Sequence, residues 1–143
     1  MESEEDIPMI SFIGIKQGGG YRSWKRRYFR NSQNNPFSLD YYENEVGEKY
    51  KGSINLRDVV GIDCKERQMK GNMGYLFYLT TDKRIWKIFV ENTSQPLVFY
   101  QNLYKTVNSA RKMNGLPLLL VCRTMEIALS TYVQHDSVVF VYN

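Results

Sequence analysis

The chain has 143 residues, a mass of 16.8 kDa and a formal net charge of +4, and this length predicts one domain with room for a sizeable core. Eleven Tyr and seven Phe favour strands over helices. No stretch of about 18 apolar residues occurs, which excludes a membrane-spanning helix, and the acidic first residues argue against a signal peptide, which would begin with basic ones.

A run of β-strands is predicted after an acidic lead-in, residues 1–8, which we expect to be flexible. Gly14 interrupts the first strand, where we expect a β-bulge. Turn-forming or charged residues predict loops at Asn31–Pro36 and Lys65–Asn72. In the sixth strand, Leu76, Tyr78 and Thr80 are expected on one face and Tyr75, Phe77 and Leu79 on the other. The seven predicted strands are Met9–Lys16, Trp24–Asn31, Phe37–Glu43, Lys51–Leu56, Val59–Cys64, Gly74–Thr81 and Ile85–Glu91.

A helical pattern follows the seventh strand. Thr93 or Ser94 is the predicted N-cap, Pro96 fits the first turn, and Gly115 ends the helix. Seven strands and one amphipathic helix predict an open barrel, with the helix plugging one mouth and the loops at the other mouth binding a ligand. The apolar residues at helical spacing are Leu97, Tyr100, Leu103, Tyr104 and Val107.

The last residues, 115–143, form a C-terminal extension beyond this pattern. Pro117–Val133 is typical of a second helix and Ser137–Tyr142 is a β-prone run. An exposed segment of this kind would be an aggregation hazard. The extension therefore packs on the domain, pairs between copies, or begins a further domain, and the sequence leaves these alternatives open.

The residues that catalysis or metal binding needs are scarce. Two cysteines, Cys64 and Cys122, lie far apart in apolar or mixed runs, and we expect both to be reduced and structural, which fits a cytoplasmic protein. With His135 as the single histidine, no closed metal site and no Ser/His/Asp or Cys/His set can be assembled. We expect no enzymatic activity, no metal and no cofactor.

The stretch from Lys16 to Arg30 concentrates positive charge. It contains six basic residues and no acidic one, so the rest of the chain carries a net negative charge. Such a patch attracts a compact polyanion, although basic hairpins are also common as solvated surface. The six residues are Lys16, Arg22, Lys25, Arg26, Arg27 and Arg30.

Three consecutive glycines, Gly18, Gly19 and Gly20, occupy the loop within this stretch. They carry no Cβ to hold a ligand away and can point successive backbone N–H groups into one concavity. Lys25 and Arg27 share one face of the second strand and can reach the same ligand as Lys16 on the first. A mixture of arginine forks and mobile lysine charges suits several phosphates on one small ring.

The spacing Lys-x-Gly, six residues, Lys-x-Arg and two aromatic residues resembles the phosphoinositide-binding signature of pleckstrin homology (PH) domains. It is met here by Lys16, Gly18, Lys25 and Arg27, followed by Tyr28-Phe29. The Gly-Gly-Gly and Trp-Lys-Arg-Arg pieces are most similar to the cytohesin subgroup. The resemblance covers positions 9–114 and implies a mainly β fold, with seven strands in two sheets forming an open barrel that a C-terminal α-helix closes.

The resemblance also implies a set of site residues. Tyr41 matches a headgroup-contacting tyrosine, and Lys51 takes the place of an arginine. Tyr21, at the loop tip, is expected to dip into the membrane interface. The cytohesin subgroup has a long insertion between strands six and seven, where this chain has only Asp82-Lys83-Arg84. Lys83 or Arg84 could reach a phosphate, but the additional contacts of the insertion are absent. The expected headgroup-binding residues are Lys16, Gly18, Gly19, Gly20, Arg22, Lys25, Arg27, Tyr41 and Lys51.

The implied function is peripheral recruitment to a membrane through a phosphoinositide headgroup. The signature implies a lipid phosphorylated at the inositol 3-position, either the 3,4,5-trisphosphate or the 3,4-bisphosphate. The alternative is a protein-interaction module on the same fold, with weak or no lipid binding and a partner at residues 116–143. Nucleic acid is not expected as a partner, because the cations cluster at one loop and do not follow a groove. In the family a tryptophan of the helix packs into the barrel, and Phe99 or Tyr100 stands in its place here.

Overall fold

In the computed structural model, the described part of the chain forms one antiparallel sheet of seven strands, followed by two helices. The structure describes residues 7–18 and 23–135, with side chains as far as residue 131. The elements are β1 (Ser11–Gln17), β2 (Trp24–Ser32), β3 (Asn35–Tyr42), β4 (Tyr50–Asn55), β5 (Gly61–Met69), β6 (Asn72–Thr80), β7 (Ile85–Glu91), α1 (Pro96–Met113) and α2 (Arg123–His135). The strands lie side by side in the order β4-β3-β2-β1-β7-β6-β5.

The sheet curls around one apolar core. Tyr41 of β3 lies against Trp86 of β7 with ring centroids 6.1 Å apart, although β1 and β2 separate these strands in the sheet. The predicted fold class, a mainly β open barrel of seven strands closed by a C-terminal helix, is confirmed. Both halves of the sheet contribute buried residues to the core, among them Phe29, Leu39, Ile54, Ile62, Phe77, Leu79 and Ile88.

The two halves of the barrel meet at a seam between β1 and β7, where Ile15 pairs with Phe89 and Lys16 with Ile88. Gly14 lies beside this seam, and a Cβ added there would come within 2.9 Å of the Ile88 side chain. The register between β1 and β2 runs through Gly14 without interruption. The predicted bulge is therefore wrong, because the glycine is needed for close packing and not for an irregular backbone.

The predicted loop at Asn31–Pro36 is wrong, because the segment is a tight hairpin. Only residues 33 and 34 lie outside β2 and β3. The buried side chain of Asn31 donates from Nδ2 to the carbonyl oxygen of Pro36 at 2.7 Å and accepts from the backbone N–H of Ile10. Asn31 thus satisfies backbone groups inside the sheet although its residue type is typical of turns.

The predicted loop at Lys65–Asn72 is also wrong. β5 continues to Met69 and turns back at Lys70 and Gly71, both with positive φ, as a two-residue type I′ hairpin requires. The charges of this segment resemble those of a loop because β5 is an edge strand, and edge strands commonly carry charged side chains that face solvent.

Helix α1 begins later than predicted. Thr93 and Ser94 lie in a 3-10 turn, Asn92–Ser94, and Gln95 precedes the helix with φ of 58° and no capping hydrogen bond from its side chain. The predicted N-cap at Thr93 or Ser94 is therefore wrong, whereas Pro96 occupies the first turn as predicted.

Aromatic rings of α1 close one mouth of the barrel. The Phe99 ring lies 4.0 Å from the ring of Phe12 and 5.0 Å from that of Phe77, measured between centroids. Tyr100 stacks on Phe77 at 6.2 Å. Both helix residues are buried, so together they fill the place that the resemblance assigns to one tryptophan.

The described part of the C-terminal extension packs on the barrel. Asn108 of α1 holds residues 116–122 in place, because its side-chain amide bonds both the backbone N–H and the carbonyl oxygen of Leu119. α2 begins at Arg123 instead of the predicted Pro117 and buries Met125 completely. Packing on the domain is therefore the arrangement of the described residues, and the β-prone run Ser137–Tyr142 lies outside them.

This packing brings the two cysteines together. The Sγ atoms of Cys64 and Cys122 are 3.6 Å apart, so the expectation that they lie far apart is wrong, and both are free thiols. Sequence reasoning missed the contact because it depends on the path of the extension across β5.

We expect Met125→Ala to lower the free energy of unfolding by about 2–4 kcal/mol, because it removes a fully buried side chain from the core. Ile127→Ala, on the same helix but 53% exposed, should change it by less than about 0.5 kcal/mol. Urea denaturation of both variants measures the difference. Equal effects would contradict the packing of the extension on the barrel.

Candidate functional site

The strand ends that three connections join meet at the mouth of the barrel that α1 leaves open. β1 leads to β2 through residues 18–23, β3 leads to β4 through residues 43–49, and β6 leads to β7 through residues 81–84. They share one end of the sheet because neighbouring strands are antiparallel and the sheet curls. Gly19, Gly20, Tyr21 and Arg22 lie outside the described residues.

Lys16 carries its charge into the barrel. Its side chain points to the inner face at the end of β1, and the residue is only 9% exposed. The Nζ atom lies 4.9 Å from the ring centroid of Tyr41 and 5.7 Å from that of Trp86, and it donates to the Gln17 carbonyl oxygen at 3.3 Å. The electron-rich faces of the two rings favour the nearby cation.

Two arginines approach Lys16, one from β2 and one from the turn before β7. The Arg84 guanidinium stacks on Trp86 at 3.6 Å from the ring centroid. Arg27 lies on the same face of β2, opposite Gly14 of β1, and its guanidinium donates to the Arg26 carbonyl oxygen at 3.0 Å. We call Lys16, Arg27 and Arg84 the cation cluster.

The cation cluster carries unrelieved repulsion. Burial lowers the pKa of Lys16 below its usual value, and the positive charges of Arg84 and Arg27 lower it further. An anion bound between these three groups would offset both the burial of the Lys16 charge and its repulsion by the two arginines, because its negative charge would lie close to all three cations. The arrangement is therefore suited chemically to a ligand carrying more than one phosphate.

Tyr41 belongs both to the core and to the site. Its ring packs on Phe29, with centroids 5.5 Å apart, and its hydroxyl lies over Gly52, where an added Cβ would be 2.5 Å away. Burial raises the pKa of Tyr41 more than the nearby charges of Arg84 and Arg27 lower it. The phenol is therefore a neutral hydrogen-bond donor at the rim of the cation cluster.

The remaining described site residues lie close by, in different settings. Lys25 pairs with Lys16 across β1 and β2 and is exposed. Lys51 lies 3.5 Å from Glu43, which also faces Lys49 at 3.8 Å, so part of its charge is offset inside the chain. Their role in binding stays a prediction.

Gly18 does not offer its N–H to a ligand in this arrangement. Its backbone N–H donates to the Ser23 carbonyl oxygen at 2.8 Å and so closes the base of the β1–β2 loop. Of the three glycines expected to form a concavity, this is the one that lies within the described residues.

Trp86 was not among the predicted site residues, and Arg84 was named only as one of two cations, with Lys83, that could reach a phosphate. The alternation of β7 places Trp86 on the inner face, and the sequence pattern contained that signal. Arg84 is positioned by the turn before β7, in which the Thr81 hydroxyl accepts from the backbone N–H of Lys83 and of Arg84 and donates to the Arg84 carbonyl oxygen. The convergence of Arg84 with Lys16 follows only from the curl of the sheet.

A depression of about 520 Å³ lies beside Arg84 at the same mouth of the barrel. Because side chains alternate along a strand, Gln17 faces the side of the sheet opposite Lys16. Arg84 therefore borders both the inner face and this outer depression, which is lined by Gln17, Gly18, Arg84, Ile85 and Lys87.

Within the described residues, no group of three or more His, Cys, Asp and Glu side chains is placed to hold a metal ion. No helix in the part of the chain that the structure describes is long and apolar enough to cross a membrane.

Comparison with known proteins finds one matching family. The model of the PH domain matches residues 9–95. The human TBC1 domain family member 2 protein has a PH domain that is similar with a TM-score of 0.52 at 20% identity, covering 82% of this chain and 92% of that one. No curated protein sequence matches the chain.

The C-terminal PH domain of pleckstrin is similar in two crystal structures. One has a TM-score of 0.44 at 24% identity and covers 73% of this chain and 95% of that one. The other, in complex with D-myo-Ins(1,2,3,4,5)P5, has a TM-score of 0.43 at 23% identity and covers 73% of this chain and 96% of that one.

We expect Lys16→Met to raise the free energy of unfolding, by up to about 1 kcal/mol, because it removes a buried charge and its repulsion with two arginines. The pKa of Lys16 is lower in the folded chain, so the penalty is present below that pKa and disappears as the pH rises through the value of the unfolded chain. Urea denaturation measures the change.

Lys65→Met is the matched control for this prediction. Lys65 lies 5.7 Å from the ring of Tyr78, but it is exposed on β5 and belongs to no cation cluster. We expect its replacement to change stability by less than about 0.5 kcal/mol. A loss of stability in Lys16→Met that exceeds the change in the control would contradict the repulsion described above.

Proposed function

Because the chain belongs to the PH domain family, we propose that it binds a phosphoinositide headgroup and recruits its parent protein to a membrane surface. PH domains are in general binding modules without enzymatic activity. One observation supports the proposal most: the cation cluster brings three positive charges, from β1, from β2 and from the turn before β7, to the open mouth of the barrel, against the rings of Tyr41 and Trp86.

The proposed mechanism follows from these positions. A headgroup phosphate enters between Lys16, Arg27 and Arg84, replaces the hydration of the three cations and removes their mutual repulsion. Arginine contributes a planar pair of donors, whereas lysine contributes a point charge that adjusts to the ring position of the phosphate. Each basic residue near an anionic leaflet adds about 1 kcal/mol, and together with specific phosphate contacts these charges support recruitment with micromolar or tighter affinity.

We propose a preference for headgroups phosphorylated at the inositol 3-position, by resemblance to the cytohesin-like spacing of Lys16, Lys25 and Arg27. These residues share the inner face of two paired strands, which supports contact with phosphates on neighbouring ring carbons. The short β6–β7 turn provides Arg84 where the cytohesin subgroup has an insertion. The proposal places the protein in the cytoplasm, on the side of the membrane that such recruitment requires.

A second candidate function is protein binding through the extension. Four apolar residues of the segment 116–122 are exposed, and Leu120 is 87% exposed. An apolar run at the surface favours contact with a partner. In this alternative the fold is kept and the lipid affinity is weak or absent. The four residues are Leu116, Leu118, Leu120 and Val121.

We expect Arg27→Ala to weaken binding of soluble inositol phosphates at least about tenfold, because one charge-assisted contact is lost. Calorimetric titration at near-physiological salt, with inositol phosphates that differ in phosphate position, measures this effect. Arg57→Ala is the matched control, because Arg57 lies over Phe37 near the far end of β3. It should bind like the wild type.

Saturable binding that depends on phosphate position and disappears in Arg27→Ala would support the headgroup site. The opposite result would be binding that ignores phosphate position, fades with salt and is equal in both variants, because a diffuse patch is screened more than a preorganised pocket. That outcome, or no binding, would favour the protein-interaction alternative.

We also expect Arg84→Ala to weaken binding about tenfold, whereas Lys83→Ala in the same turn should have little effect. Arg84 stacks on Trp86 beside Lys16, whereas Lys83 is exposed at the tip of the turn. Titration with the inositol phosphate that binds the wild type best compares the two. A larger loss in Lys83→Ala would remove Arg84 from the proposed site.

A further inference from the structure

Two thiols meet where the C-terminal extension crosses the sheet. Cys64, in β5, is 1% exposed, and Cys122, immediately before α2, is half-buried. Their Sγ atoms are 3.6 Å apart although 58 positions separate them in the chain. Both are free, and they lie away from the cation cluster, so the proposed headgroup site does not use them.

The two sulfurs have different surroundings. The two sulfurs share a hydrogen bond in which either thiol can be the donor, and the Tyr100 hydroxyl accepts from the backbone N–H of Cys122 at 3.2 Å. The shared hydrogen bond lowers the pKa of Cys122 despite partial burial, whereas the same bond and burial raise the pKa of Cys64. The lowered pKa makes Cys122 the more readily ionised thiol of the pair.

Access and position favour the same division of roles. Cys122 is reached from solvent and Cys64 is not, so an external reagent meets Cys122 first. Residues 116–122 belong to no helix or strand, which allows Cys122 to approach Cys64 without disturbing β5. The sulfurs need to come closer by about 1.5 Å to reach the length of a disulfide bond.

We propose that Cys64 and Cys122 are a reversible oxidation site, which a low-molecular-weight disulfide such as glutathione disulfide converts into an intramolecular disulfide joining the extension to β5. This inference rests on the contact between the two sulfurs and is independent of the proposed lipid binding.

The exchange proceeds in two steps. The Cys122 thiolate attacks one sulfur of glutathione disulfide, the S–S bond of the oxidant breaks, and one glutathione leaves and takes up a proton. The sulfur of Cys64 then loses its proton and attacks Cys122 in the mixed disulfide, which releases the second glutathione. Two protein thiols are oxidised by two electrons in total, and one glutathione disulfide is reduced to two molecules of glutathione.

The bond would change how firmly the extension is held. In the thiol form, the buried Met125 side chain and the two hydrogen bonds between Asn108 and Leu119 hold the extension by packing and hydrogen bonds alone. In the disulfide form, a covalent link across 58 positions restricts the unfolded chain and so stabilises the folded one. The extension is then locked to β5 whether or not a ligand is bound.

The test uses the full chain, incubated with excess glutathione disulfide without denaturant and then treated with an alkylating reagent to block free thiols. We expect the intact mass to fall by two hydrogen atoms and peptide mapping to find Cys64 linked to Cys122. The melting temperature should rise by about 5–10 °C and return to its starting value with dithiothreitol.

Two single variants assign the roles. Cys64→Ser should stop at the mixed disulfide and carry one glutathione on Cys122. Cys122→Ser should react at least about tenfold more slowly than the wild type, because the remaining thiol is buried and its pKa is raised.

The wild-type peptide map alone can overturn the proposal, so the result does not depend on whether either variant folds. Glutathione on both cysteines, disulfides between two chains, or no reaction in the folded chain would each overturn it. A linked peptide that forms no faster in the folded chain than in urea would also overturn it, because the native contact would then play no part.

Discussion

The charge of Lys16 is the constraint on which the open mouth of the barrel depends. The ammonium group is nearly removed from water and yet remains between two rings and two arginines. Tyr41 and Trp86 compensate part of the lost hydration, and Gly52 is required because any larger residue would displace the Tyr41 hydroxyl. A core free of this charge would be simpler to pack, which is the usual relation between a binding site and the stability of its scaffold.

The opposite mouth shows how the same fold behaves without such a charge. The rings of Phe99 and Tyr100 fill this mouth in edge-on and stacked contacts with Phe77. The hydrogen bond from Leu119 to the Asn108 side chain then attaches the extension to α1. One end of the barrel is therefore apolar and fully packed, whereas the other is polar and open. This division leaves the described residues at the open mouth to carry a ligand while α1 and the extension stabilise the fold.

Local pattern was sufficient to predict most of the fold, because β-prone runs bounded by turn residues mark strands such as β6 and β7, and α1 has a regular apolar face. The prediction from local pattern failed where one residue type can have two structural roles. Charges on β5 belong to an edge strand and not to a loop, and Gly14 serves close packing and not a bulge. Lys16, Lys25 and Arg27 could be placed on one face from strand alternation alone. The convergence of Arg84 with Lys16 and the Cys64–Cys122 contact could not be predicted, because both depend on how distant segments meet in space.

The cation cluster spans the seam between β1 and β7, so a ligand bound to it would contact both halves of the barrel. Arg27 belongs to the four-stranded half of the barrel, Arg84 to the three-stranded half, and Lys16 lies at the seam itself. A phosphate bound to all three residues would connect the two halves of the barrel. Separating the halves would then also require breaking the contacts between the phosphate and one half. A bound ligand would therefore make the whole barrel more rigid, including regions that do not contact the ligand.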